Sequence, residues 1–254
     1  MNKNQQGTVT TTIKNDVAYI QFAHPAHNAM PGDQLGRLAQ AIKEAGDNPE
    51  AKIIVLSSGG ERTFCAGASF DELIAIQDIE KGKAFFMGFA NVINAMRTCP
   101  KFIIGRVQGK AVGGGVGLAS ATDFCVGTQY ASIKLSELAI GIGPFVVGPA
   151  VERKIGNAAF SAMSIDAADW RSAQWAKEKG LFAEVFDNTA DMDKYISQLA
   201  QKLVNYNAEA MAELKKVFWV GTENWDTLLV ERAAISGRLV LSNFTKDFIT
   251  RFKK

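Results

Sequence analysis

A layered α/β fold is predicted by three features of this 254-residue chain. Short runs of branched apolar residues alternate with helix-period segments over about the first 140 residues, the pattern of βαβ units. Two of those runs end in small residues just before a helix: Phe64-Cys65-Ala66-Gly67-Ala68-Ser69 and Ala111-Val112-Gly113-Gly114-Gly115-Val116-Gly117-Leu118. Beyond Pro149 the strand-like runs stop and helical periodicity takes over.

In chain order, residues 9–13 and 17–22 alternate around Asn15-Asp16 and read as a hairpin. Asp33 is placed to cap a helix carrying Leu35, Leu38 and Ile42 at core spacing. Residues 52–57 are a buried-strand run. One helix is expected over 71–96, with Phe85, Phe86, Phe89, Val92, Ile93 and Met96 on its apolar side. Strands follow at 102–107 and 123–127, with Ile133 in a further short one, and a small-residue helix opens at the glycine run. Residues 151–155, 171–179, 191–206, 208–220 and 225–241 all read as helices, an extension of the first half rather than an independent domain.

Composition narrows the function classes. With 47% hydrophobic and 21% charged residues the chain is ordinarily globular, and a net charge of +2 suggests neither nucleic acid nor an anionic membrane as partner. The basic run Arg251, Phe252, Lys253, Lys254 is expected to be solvated. Three cysteines without a CxxC pair argue against a disulfide framework or a zinc site. The polar start and the lack of an 18-residue apolar stretch predict a cytoplasmic protein with no leader and no membrane span.

The two small-residue turns carry the chemistry. Small side chains there leave backbone N–H groups bare at a helix mouth, where no intrahelical acceptor exists. Two such turns facing one another aim a pair of donors at a single oxygen, which is how an oxyanion hole for a thioester carbonyl or enolate is built. A dinucleotide fingerprint fails, because Leu118 and Ser120 stand where its last glycine is needed, and no Walker lysine follows. Glu137 sits among apolar neighbours, where desolvation raises a carboxyl pKa toward neutrality. Cys65 is read as a small buried residue, His24 and His27 as loop residues, and Asp71 and Glu72 as partners of a helix dipole.

The ordered set of motifs resembles the crotonase (enoyl-CoA hydratase/isomerase) superfamily over nearly the whole chain. Residues 17–22 leading to Asn28-Ala29-Met30 are similar to its opening strand and Asn-Ala-Leu signature, and 64–70 to its Phe-Ser-Ala-Gly-Ala-Asp-Leu. The glycine run, Ser136-Glu137 through Gly143-Pro144, Gly180-Leu181 through Val185, and Phe252-Lys253 follow in the family's order.

The resemblance implies an α/β, crotonase-like spiral of ββα repeats over 1–195. It also implies a C-terminal helical trimerisation region over 196–254, within the same catalytic unit. Homotrimers or dimers of trimers are expected. By motif, the Ala68 and Gly114 amides would hold a thioester oxygen and Glu137 would be the catalytic carboxyl. Coenzyme A, the substrate's carrier rather than a permanently bound cofactor, would lie near His27, Ala29, Ala66, Ala68 and Gly114, with Lys253 from a neighbouring subunit. No metal is expected.

Three departures from the family pattern bear on the reaction, of which the first is Ser69 where the family's Asp follows Ala-Gly-Ala. Gly117 stands where the family's other glutamate would be, and Phe145-Val146-Val147 replaces Gly-Gly-Gly after Pro144. The glycine is expected to leave room for a bulkier acyl group. Hydration of a 2-enoyl-CoA, branched ones included, is favoured over Δ3,Δ2-enoyl-CoA isomerisation by a single glutamate. A catalytically silent acyl-CoA-binding relative and a protein whose glycine turns merely pack are the alternatives.

Overall fold

The computed structural model describes residues 7–252. Strands β1 (Thr8–Lys14) and β2 (Val17–Ala23) form the expected antiparallel hairpin, in register Lys14↔Val17. Its two turn residues, Asn15 and Asp16, have φ of 51° and 61°, the left-handed pair that a two-residue loop of this twist demands.

Helix α1 (Gly32–Asp47) is not capped by Asp33. The helix begins after Pro31, and Asp33 lies inside the first turn, 3.0 Å from Arg37. The helix's first amide, Gly32 N–H, is instead satisfied from outside by Glu72 Oε2 at 2.8 Å. Strands β3 (Ile53–Ser58) and β4 (Thr63–Cys65) come next.

The single helix expected over 71–96 is two, α2 (Phe70–Ala75) and α3 (Ile79–Thr98). Ile76 is extended, and the Asp78 carboxylate accepts the Lys81 N–H at 2.8 Å, so the chain is re-capped rather than continued.

Strands β5 (Ile103–Val107) and β6 (Lys110–Val112) lead into α4 (Gly114–Ala121), and β7 (Phe124–Thr128) and β8 (Ser132–Lys134) into a 3-10 turn at Leu138–Ile140. Helix α5 (Gly148–Ile165) is kinked at Gly156, whose φ is 79°. The second half is not wholly helical. Strand β9 (Arg171–Ser172) precedes α6 (Ala173–Glu178), and β10 (Glu184–Phe186) precedes α7 (Thr189–Leu203), α8 (Ala208–Phe218), α9 (Trp225–Leu239) and α10 (Asn243–Phe252).

Two sheets result. The larger has the order β1-β2-β3-β5-β7-β10 and the smaller β4-β6-β8-β9. Consecutive strands β3/β4, β5/β6 and β7/β8 alternate between them, so the chain winds as a spiral of repeated turns. The large sheet is covered on both faces, which is why β3 reads as an unbroken apolar run. Ile54 and Leu56 join the core under α1 and α3, whereas Ile53 and Val55 meet Met192, Ile196 and Ala200 of α7 on the other face.

The boundary expected between 195 and 196 therefore falls within a helix that packs as one piece on the sheet. Further on, the Lys215 ammonium lies 2.8 Å from Asp123, both side chains no more than 4% exposed. Asp123 also accepts the Ile103 N–H at 2.8 Å and the Trp219 indole N–H at 3.0 Å, which pins α8 to the starts of β5 and β7. Among the described residues no helix is long and apolar enough to cross a membrane.

Candidate active site

The two small-residue turns meet. A Cβ on Gly67, whose φ is 90°, would stand 3.1 Å from the Val112 carbonyl and 3.8 Å from the Gly114 nitrogen. One on Gly115 would come within 2.5 Å of the Cys65 carbonyl. Glycine at these positions is what lets the ends of β4 and β6 close to backbone contact.

The first turn is ordered from the side. Met30 N–H donates to the Gly67 carbonyl at 2.8 Å, and Ser69 N–H to the Met30 carbonyl at 3.0 Å. Among the described residues the amides of Ala68 and Gly114 have no acceptor within the chain, and both residues line one cavity of about 480 Å3.

Glu137 faces the same point. Its Oε1 lies 2.9 Å from where a Cβ of Gly113 would be, so the left-handed Gly113, at φ 51°, also clears space for the carboxyl. The residue is half-buried, but its Oε2 atom is sealed from solvent and has no hydrogen-bond partner. Burial raises its pKa to about 7, and the hydrogen bond from its own backbone N–H acts in the opposite direction without offsetting it.

The cavity wall is mostly apolar, with Phe70, Leu73, Phe86, Phe89, Ile140 and Ile142 among its residues, and Lys134 and Ser136 are the polar side chains beside Glu137. Ser236 of α9 and Phe248 of α10 line it too, so the C-terminal helices help enclose the site.

The remaining candidates fall at the rim. Ala66 lines the cavity beside Ala68. His27 is exposed, with φ of 53°, and Ala29 is half-buried; neither lines the cavity. Met30 nevertheless carries this loop along the Ala68 turn. The buried Asn28 between them accepts the His24 N–H at 2.8 Å and donates to the carbonyls of Gly59 and Thr63 at 2.7 and 2.8 Å. Lys253 lies outside the described residues. The Cys65 thiol is buried and pushed up to about 12, too high for a nucleophile at neutral pH.

The space expected at Gly117 does not exist. A Cβ there would lie 2.5 Å from Val147 Cγ1 and 2.6 Å from Val147 Cβ. The valine that replaces the family's third glycine thus fills the place next to the missing glutamate, and these two departures from the pattern are one packing change. Val147 and its neighbours Phe145 and Val146 line the cavity. The sequence shows both substitutions, but nothing in it pairs positions 30 residues apart.

The enoyl-CoA hydratase/isomerase family profile matches residues 12–247. Bacillaene synthase dehydratase PksH of Bacillus subtilis is 29% identical over 212 residues, covering 82% of this chain and 79% of that one. Carnitinyl-CoA dehydratase of Salmonella paratyphi A is 29% identical over 216 residues, covering 84% and 80%. Among solved structures, enoyl-CoA hydratase from Bacillus halodurans superposes with a TM-score of 0.88 at 20% identity, covering 96% of this chain and 99% of that one. A putative polyketide biosynthesis enoyl-CoA hydratase from Bacillus subtilis gives 0.81 at 24% identity, covering 97% and 96%. The fold is therefore crotonase-like.

Proposed function

The chain belongs to the enoyl-CoA hydratase/isomerase family, and from that premise we propose that it interconverts a 2-enoyl thioester and its 3-hydroxy form by adding or removing water. The observation that carries this is the meeting of two acceptor-less amides, Ala68 and Gly114, with one buried carboxyl, Glu137, in a single, mostly apolar cavity. Two relatives bearing the name dehydratase, PksH and carnitinyl-CoA dehydratase, support the same chemistry.

In the proposed reaction the thioester oxygen accepts both N–H groups. The Glu137 carboxylate takes a proton from water as the water oxygen bonds to the β-carbon. The π electrons move to the thioester enolate, whose negative charge develops against the two amides. The same carboxyl then delivers its proton to the α-carbon, on the face from which it came. A pKa of about 7 suits one group to both tasks. Coenzyme A is proposed to cross the rim at His27, Ala29, Ala66 and Ala68, with Lys253 of a neighbouring subunit on a phosphate. A cytoplasmic homotrimer, or a pair of trimers, is the proposed assembly.

Double-bond isomerisation is the second reading, favoured by the Gly117–Val147 packing and by Glu137 having, among the described residues, no carboxyl neighbour in the cavity. Glu137→Gln, assayed on 2-enoyl- and 3-enoyl-CoA, tests both. Loss of hydration supports the first and loss of isomerisation the second. Undiminished turnover of each would remove Glu137 from the chemistry.

A further inference from the structure

One stretch of the cavity wall is cationic. Lys134, the last residue of β8, lines the cavity together with Ala168 and Trp170. Its ammonium lies 4.8 Å from the centre of the Trp170 ring, and that of Lys110 lies 5.1 Å from the same ring. The two charges are thus held within about 10 Å of each other on one indole.

Among the described residues neither lysine has a carboxylate within ion-pair distance. Neighbouring Arg171 is, by contrast, paired with Asp166 at 2.6 Å. Lys134 makes one long bond, 3.4 Å, to the Ala168 carbonyl. Glu137, the other ionisable group lining the cavity among the described residues, makes no ion pair with it. Lys134 is half-buried at the cavity wall and Lys110 is exposed beside it, so the two charges make this stretch attractive to an anionic group entering the cavity.

Position says which part of a thioester that ligand group belongs to. Lys134 is the ladder partner of Val112, and its carbonyl accepts the Gly113 N–H at 2.8 Å. Its backbone therefore abuts the turn that presents the Gly114 amide. A lysine stem spans about 6 Å, whereas the pantetheine arm separates thioester from phosphate by roughly four extended residues, about 14 Å. An ammonium rooted beside the oxyanion turn meets the acyl group before any phosphate.

We propose that Lys134, steadied on Trp170 beside Lys110, is a subsite for a carboxylate at the far end of the acyl group, so that the substrate is the thioester of a dicarboxylic acid. The subsite rests on the thioester reading above. Trp170 fixes the ammonium by cation–π contact and offers its ring to the acyl methylenes. Lys110 adds a second charge that favours the anion.

The test compares two 2-enoyl-CoA substrates of equal chain length, one ending in a methyl group and one in a carboxylate. The expected wild-type kcat/KM is at least tenfold higher for the carboxylate. Lys134→Met should lower that ratio at least tenfold, mainly through KM, and Lys134→Arg should restore most of it. An unchanged ratio in Lys134→Met overturns the subsite. So does a loss shared equally by both substrates and by coenzyme A alone in calorimetry, which would place a carrier phosphate on Lys134. Should neither thioester be turned over, calorimetric affinities for the pair still read the subsite. A preference for the carboxylate that disappears in Lys134→Met upholds it while refuting hydration, and equal wild-type affinities refute it.

Discussion

Gly117→Ala should destabilise the protein when Val147 is present and stabilise it when Val147 is absent. The added Cβ would stand 2.5 and 2.6 Å from Val147 Cγ1 and Cβ, more than about 1 Å inside ordinary carbon contact. Because Cβ cannot rotate away, the overpacking cost falls toward the upper end of the usual ~1–3 kcal/mol. Replacing glycine within helix α4 returns about 1 kcal/mol. The net loss is about 1–2 kcal/mol.

In a Val147→Gly background the nearest remaining atom is the residue's Cα, 3.5 Å away, an ordinary contact. Val147→Gly itself strips three carbons from a site only 4% exposed, at roughly 0.8 kcal/mol each before any cavity term. There the Gly117→Ala methyl refills part of the gap and adds helix propensity, returning about 2 kcal/mol. The cycle therefore predicts a coupling of about 3–4 kcal/mol with a change of sign. Urea midpoints at one protein concentration, with m unchanged, measure it. Gly117→Ala effects of the same sign in both backgrounds, or a coupling under about 0.5 kcal/mol, would refute the packing argument.

Other consequences can be measured separately. Glu137→Gln should lower turnover by about 10²–10⁴-fold. It should also raise stability above pH 7. Burial pushes the native carboxyl up to about 7 from an ordinary 4.5, so between those values the folded state holds a proton that the unfolded state has lost, and wild-type stability falls as pH rises. The variant should gain up to about 3 kcal/mol at pH 8 and converge with wild type below pH 4.5; parallel denaturation curves at every pH would contradict this. Lys215→Met leaves Asp123 charged and buried and should cost about 3–5 kcal/mol in urea unfolding. Gly82→Ala should cost at least about 1–3 kcal/mol in the same assay, because its Cβ would stand 2.7 Å from the Gly237 carbonyl where α3 crosses α9.

Local chemistry was legible in the sequence wherever one short segment contains its own cause. Asn15-Asp16 demands its hairpin, and small residues at 66–68 and 113–115 announce backbone that must come close to something. What they come close to is a tertiary fact. Asp33 looks like a cap until Glu72, 40 residues away in sequence, supplies the bond to Gly32. The apolar stripe over 71–96 hides a break because its period survives on both sides of Asp78. Strands β9 and β10, of two and three residues, are too short to show a period and form because β8 and β7 offer open edges.

The same distinction explains the candidate site. Most of its precision comes from side chains that are absent. Gly113 clears Glu137, Gly115 clears the Cys65 backbone, and Gly67 lies against the Gly114 nitrogen. Each absence is visible as a glycine, yet its meaning depends on a neighbour from another turn of the spiral. Gly117 shows how such a signal misleads, since taken alone it reads as a vacancy and beside Val147 it is a filled contact. Glycine in a site of this kind therefore marks proximity rather than space, and its partner decides whether the protein has enlarged a pocket or replaced a carboxylate by an apolar wall. Here the partner is a branched side chain from the start of α5. Val147 and Glu137 line the same cavity, and burial pushes the Glu137 carboxyl up to about 7, the range in which the proposed reaction needs one group both to take and to return a proton.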